Sequence, residues 1–225
     1  MRITRVQVNA NTDFTSPTVR LPYNSPNTAG NMGVAWCYVE NGTIPLALSD
    51  ENGNAWCLIN SATQTLNSCG VFVCGSLAGG PNTVVAPFGC VSSPDVVTPT
   101  LHIYEYAVSQ PVALLAMQPS WNDELSFEFN YSTWFYAPFN DGALVDQTVG
   151  VFLFVSDSNP EHGWTATAPS SIGAMSSGAD ISNVSGDAIV DNGGSQTSFT
   201  CEFDTNAVSP PPYNCVRVGF LMAAL

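Results

Sequence analysis

The side chains able to do chemistry are few and scattered. The chain has two histidines, His102 and His162, and eighteen carboxylates against four arginines and no lysine. His102 falls within an alternating apolar segment and His162 within a loop. No serine sits in a nucleophile elbow, and no cysteine has a histidine near it in sequence. Glu105 and Glu128 are the carboxylates best suited to a glycosidase pair, since either can project from a sheet face. That chemistry needs them held about 5 to 10 Å apart, which spacing along the chain does not supply. The expectation is a protein that is not an enzyme.

Asp50, Asn52 and Asn54 alternate around Gly53 like the opening of a calcium loop. The glycine comes too early for an EF-hand loop and no bidentate glutamate follows, so a hairpin turn is expected, with no metal. Asp157, Asn159 and Glu161 form a second oxygen-rich run, which Pro160 breaks. No cofactor is implied. Aromatic rings cluster at Tyr131, Trp134, Phe135, Tyr136 and Phe139, with Trp121 upstream and Trp164 later. Rings with a polar edge suit stacking on sugars, so Trp134, Tyr136 and Trp164 are the candidates for binding glycans; the competing expectation is core or subunit interface.

Seven cysteines, Cys37, Cys57, Cys69, Cys74, Cys90, Cys201 and Cys215, are many for a cytosolic domain and read first as disulfides of an oxidising compartment, with buried free thiols as the alternative. Cys201 and Cys215 flank a loop containing Ser209-Pro210-Pro211-Pro212 and are the pair expected first; Cys57, Cys69 and Cys74 are further candidates. The odd count leaves one thiol free or available for a link between subunits. Zinc is disfavoured, because paired short spacings and nearby histidines are missing.

The segments that must position these groups read as strands. They run Ile3 to Asn9, Thr18 to Pro22, Gly33 to Val39, Pro45 to Ser49, Ala55 to Ile59, Gly70 to Gly75, Thr83 to Pro87 and Leu101 to Ala107. Others follow at Val112 to Met117, Leu125 to Tyr131, Val149 to Ser156, Thr165 to Ala168, Ala188 to Val190, Thr197 to Phe203 and Cys215 to Leu225. Turn residues separate them at short intervals, which predicts an all-β antiparallel sandwich with little or no helix. Gln118 to Leu125 is the one place where a helical turn is expected, capped by Ser120. Two hairpins are expected, around Asp50 to Asn54 and around Ala78 to Asn82, with glycines at the positive-φ positions. Leu101 to Tyr106 alternates and predicts one wet face, whereas Val149 to Val155 and Val216 to Leu225 are apolar almost throughout and predict strands covered on both faces.

At 225 residues with 45% hydrophobic and 10% charged residues, the chain can bury a full core, and one domain over 1–225 is expected. A net charge of -14 disfavours nucleic acid and anionic membranes as partners. No apolar run approaches the roughly 20 residues of a membrane span. The first ten residues alternate like a strand and lack the apolar core of a secretory signal, so the chain is made without one, as virion proteins are, or begins after a removed leader. Without lysine, strand edges lack their usual charge guard. The terminal strands, at Val6, Gln7 and Val8 and at Phe220 and Leu221, are therefore expected to pair with other copies.

The order NTAGNMGVAWCYV, LALSDENGNAWCLI, FVCGSLAGGPNTVVAPF, LHIYEYA resembles a β-sandwich module repeated in large secreted bacterial proteins, with its "TDSAGNTY", "AGGANTVTV" and "EYSG" segments. Ser49 to Asn54, Ala78 to Val84 and Glu105-Tyr106 carry the likeness, and the second half follows it more loosely. The resemblance implies a jelly-roll or lectin-like sandwich without a catalytic centre. The function expected is a structural subunit, extracellular or at the cell surface, or else in a virion, that assembles with copies of itself into a filament, tube, sheath or shell. The alternative is a carbohydrate-binding module.

Overall fold

The computed structural model describes residues 3–13, 16–40, 42–64, 67–90, 98–109, 112–122, 132–138, 147–157, 164–166, 168–177, 182–192, 198–205 and 215–224, with the backbone alone for 115–122, 132–138 and some strand ends. The described residues form strands and no helix. The first half contains β1 (Ile3–Thr12), β2 (Thr18–Pro22), β3 (Met32–Glu40), β4 (Gly42–Thr43), β5 (Ser49–Asp50), β6 (Cys57–Gln64), β7 (Asn67–Cys74), β8 (Thr83–Pro87), β9 (Gly89–Cys90) and β10 (Thr98–Val108). The second contains β11 (Val112–Asn122), β12 (Ser132–Pro138), β13 (Gln147–Asp157), β14 (Trp164–Ala166), β15 (Ser170–Ser177), β16 (Ser182–Asn192), β17 (Ser198–Thr205) and β18 (Cys215–Ala224).

These strands make two five-stranded sheets, β1-β10-β3-β7-β6 and β11-β18-β13-β16-β15, two three-stranded sheets, β2-β8-β5 and β12-β17-β14, and the short pair β4-β9. Alternating side chains assign each sheet face to a core. Ala35, Cys37, Val39, Leu101 and Ile103 face Val19, Leu21, Val84 and Ala86 of the β2-β8-β5 sheet. The opposite face of the same large sheet, with Val34, Trp36, Tyr38, Tyr104 and Tyr106, meets Phe152, Phe154, Val218 and Phe220 of the second large sheet. That sheet's far face, with Val151, Leu153, Val155 and Leu221, packs on Trp164, Cys201 and Phe203 of β14 and β17. The all-β sandwich expected from the sequence is thus present in doubled form, four sheets deep.

The two halves have one topology. In each, the first strand lies beside the last, the second beside a late one, and the two five-stranded orders match position by position. Irregularities match as well. Bulges interrupt β1 between Arg5 and Gln7, opposite Tyr106 and Glu105, and β11 between Leu114 and Ala116, opposite Met222 and Leu221. They interrupt β6 between Leu58 and Asn60 and β15 between Ile172 and Ala174. All four edge strands of the large sheets are therefore bulged, which twists each edge away from strand addition. Since β1 packs beside β15, β6 beside β11 and β7 beside β18, the halves face each other across a pseudo-two-fold axis.

Several expectations change on this architecture. The terminal strand β18, with Phe220 and Leu221, is not an open edge: it lies between β11 and β13 and is paired on both sides. The N-terminal strand is an edge, but the segment after β2 occupies it. Gln7 and Asn9 donate to the Ser25 and Pro22 carbonyls, and Asn24 donates to that of Val8. The turn with Gly53 (φ 68°) and that with Gly80 (φ 106°) do use left-handed glycines. Neither closes a hairpin, because β5 pairs with β8 while β6 and β7 pair with each other in the next sheet. Both are corners between layers. The turn expected from Gln118 is extended as far as Asn122, paired with 215–219, because β18 offers it a complete ladder. β12 and β15 were not foreseen, and Leu125 to Tyr131 lies outside the described residues.

Trp36 is 1% exposed and lies 6.0 Å from the Phe154 ring and 5.5 Å from Phe220, bridging the halves. Trp36→Ala is expected to lower stability by about 3–5 kcal/mol in urea denaturation. A loss below about 1 kcal/mol would show that the halves do not depend on this contact.

Candidate functional site

Among the described residues, hydroxyl, imidazole, carboxyl and guanidinium groups converge once, on the flank where β10 faces β15 and β16. Strand alternation puts Thr100, His102, Tyr104 and Tyr106 on the inner face of β10, and Asn183, Ser185 and Asp187 on that of β16. The expected wet face of Leu101 to Tyr106 is therefore buried, covered by the other half. Gly173 makes the approach possible, since a Cβ there would meet Tyr104 Oη and Arg5 Nη1 at 2.6 Å.

The geometry looks like a nucleophile, a base and an orienting group. Ser176 Oγ lies 2.8 Å from His102 Nε2, and Ser185 Oγ lies 2.6 Å from His102 Nδ1 and 2.5 Å from Tyr104 Oη. Proton counting gives the direction of the chain. If Tyr104 donates to Ser185 and Ser185 to Nδ1, then Nε2 carries the hydrogen and donates to Ser176, and no buried hydrogen among the three is stranded. Ser176 is then an acceptor, the reverse of an activated nucleophile. Burial also holds the His102 imidazole at about 3, far below its ordinary 6.5. No carboxylate lies on Nδ1 to stabilise an imidazolium. Nearby, Arg5 Nη1 pairs with Asp187 Oδ2 at 3.3 Å, Tyr106 Oη donates to the same oxygen at 2.7 Å, and Arg5 Nη2 donates to Ser171 at 2.8 Å. Burial raises the Asp187 carboxyl despite the Arg5 charge and the Tyr106 hydrogen bond, which pull it down.

Glu105, on the opposite face of β10, is buried among neutral donors. Gln7 Nε2 (2.5 Å), Asn27 Nδ2 (3.0 Å), Thr28 N (2.8 Å) and Asn31 Nδ2 (2.6 Å) supply four hydrogen bonds, filling its acceptor sites. Burial pushes this carboxyl up, but the four donors outweigh it and hold it below its ordinary range. Asp50 is treated alike: its oxygens accept from Asn54 N and Nδ2, Trp56 Nε1 and Asn82 Nδ2. Those donors overcome burial and lower its pKa. Asp50 thus locks a corner, and Asn52 donates to the Pro81 carbonyl across the neighbouring corner. No group of three or more His, Cys, Asp or Glu suited to a metal occurs among the described residues. Asp157 ends β13, while Glu128 and His162 lie outside the described residues.

The remaining candidates are not brought together. Among the described residues no disulfide is formed, and Cys37, Cys57 and Cys74 are thiols, so Cys57 is not bridged to Cys74. Strand register keeps Cys37 and Cys69 apart. Cys37 is opposite Gly70 and Tyr38 opposite Cys69, so the two side chains leave the sheet on opposite faces, into different cores. Cys201 is buried against the far face of the second large sheet. The side chain of Cys215 is outside the described set, as are those of Trp134 and Tyr136 on β12. Trp164 is 6% exposed and belongs to that same core, so it does not offer a stacking face. Sequence reasoning missed the partners of His102 and Tyr106. Ser176, Ser185 and Asp187 sit in polar stretches, and only the pairing of the halves places them over β10.

No protein-family model matches the chain, and no curated protein or solved structure does so either.

Two measurements follow. The unfolded chain protonates His102 near pH 6.5 and the folded chain only near 3, so acidification through that window favours unfolding. Below about pH 4 the lowered carboxyls of Glu105 and Asp50 act in the same direction, whereas the raised Asp187, which takes up its proton in the folded chain first, opposes His102 above about pH 4. Stability by urea denaturation is expected to fall from pH 7 to pH 4, less steeply in His102→Asn than in wild type; equal slopes would contradict this. A fluorophosphonate probe is expected to leave Ser176 unlabelled, and labelling that disappears in Ser176→Ala would reveal an activated serine.

Proposed function

We propose that this protein is a non-enzymatic structural subunit that assembles with copies of itself, forming an extracellular filament, tube or sheath, or a virion shell. The observation that carries this reading is the use made of its reactive groups. His102, Glu105, Asp187 and Asp50 are each enclosed by framework hydrogen bonds that position strands and corners. A doubled jelly roll supplies a rigid block, and jelly rolls serve as shell and lectin domains.

Bulged edges and the occupied edge of β1 direct association away from strand addition and towards faces and loops. The lectin alternative loses Trp164 to the core. The secreted-module likeness, if it reflects descent, would place the subunit outside the cell; the thiols of Cys37, Cys57 and Cys74 do not require an oxidising compartment.

The test is electron microscopy with light scattering on the full chain near neutral pH. Regular particles, sheets or fibres, or at least discrete oligomers, are expected. A monomer at every concentration and salt would contradict the proposal.

A further inference from the structure

The outer face of β6 is left uncovered by the three-stranded sheet, and the segment between β4 and β5 partly fills the gap. Ile44 packs into the core beneath, Pro45 and Leu48 are buried, and Leu46 between them is 97% exposed. Leu58 on β6 is 42% exposed. Gly70 brings Ile44, two residues before Leu46, together with Leu58: a Cβ there would meet Ile44 Cδ1 at 2.5 Å and Leu58 Cδ1 at 3.3 Å. The result is an apolar knob on an anchored loop, next to a shallow apolar shelf.

Charge identifies the occupant. Residues 1–111 hold six carboxylates and three arginines, and residues 112–225 hold twelve carboxylates and one arginine, so the halves carry -3 and -11 of the net -14. No charged residue occurs from Gly42 to Ser49 or from Asn52 to Pro94, which includes all of β4, β6 and β7. Two like-charged copies repel least where both present this neutral surface. A two-fold contact also lets the knob of each copy meet the shelf of the other.

We infer that the patch formed by Ile44, Leu46 and Leu58 is the primary contact between two copies of this chain, with first half against first half and the acidic second halves pointing apart. This inference rests on the self-assembly reading and names its first interface. Because the repulsion it minimises is screened by salt, association through the patch strengthens as salt rises, opposite to a contact held by ion pairs.

The experiment compares wild type, Leu46→Glu and Leu58→Glu by sedimentation equilibrium at low and physiological salt, with melting temperatures recorded. Leu46→Glu is expected to raise the dimer Kd by about tenfold or more, Leu58→Glu to act in the same direction, and folding of Leu46→Glu to be unchanged because that side chain is in solvent. If Leu46→Glu associates as wild type does, the inference fails while self-assembly stands. If wild type stays monomeric, self-assembly itself fails. Association that weakens with salt would also overturn the patch as the contact.

Discussion

Trp36 of β3 lies between Phe154 of β13 and Phe220 of β18, and at this contact two equivalent sandwiches become one body. Phe152 stacks on Phe220 with centroids 4.6 Å apart, and Tyr106 meets Phe152 edge-on at 5.1 Å. Aromatic rings bury roughly 150–250 Å² each, so this layer carries more apolar area than the strands alone would provide. The outer sheets then cover the remaining faces of the large sheets, and the corners holding Asp50 and Gly80 carry the chain between layers.

The middle interface is unequal on its two flanks, and the inequality has a consequence for specificity. One flank sets Cys69, Val71 and Val73 of β7 near Val218, Phe220 and Met222 of β18. The other sets His102, Tyr104 and Tyr106 against Ser185 and Asp187. If two first halves paired in this way, the imidazole and hydroxyls of β10 would lie over Val71 and Val73 with no partners. If two second halves paired, Asp187 would lie over Met222 or Phe220. Stranded buried polar groups cost about 1–3 kcal/mol each, more when charged, so the polar flank favours the pairing within a chain over the same surface used between chains. The reactive-looking constellation around His102 is explained by this matching.

Much of the fold was legible in the sequence, because strand length and turn chemistry are local properties. Thr18 to Pro22 and Thr83 to Pro87 are strands to the residue, and the all-apolar run at Val149 to Val155 is a strand covered on both faces. The duplication was not legible. Equivalent positions share a place in the ladder but not a residue type: Trp36 matches Phe154, Val71 matches Ser185, Val73 matches Asp187 and His102 matches Val218. For the same reason the alternation of Leu101 to Tyr106 misled, since polar residues there face a polar partner rather than water. The corners misled differently. A left-handed glycine specifies a reversal of the chain, but which sheet the next strand joins depends on non-local pairing.

The claim that the two halves form one cooperative body is tested most directly by native-state hydrogen exchange on wild type and Trp36→Ala. The account predicts that β3 and β13 amides exchange through a shared opening in wild type, and that substitution in the first half lowers protection of β13 and β18 as much as that of β3 and β10. Loss of protection confined to the first half, with β13 and β18 unchanged, would contradict it.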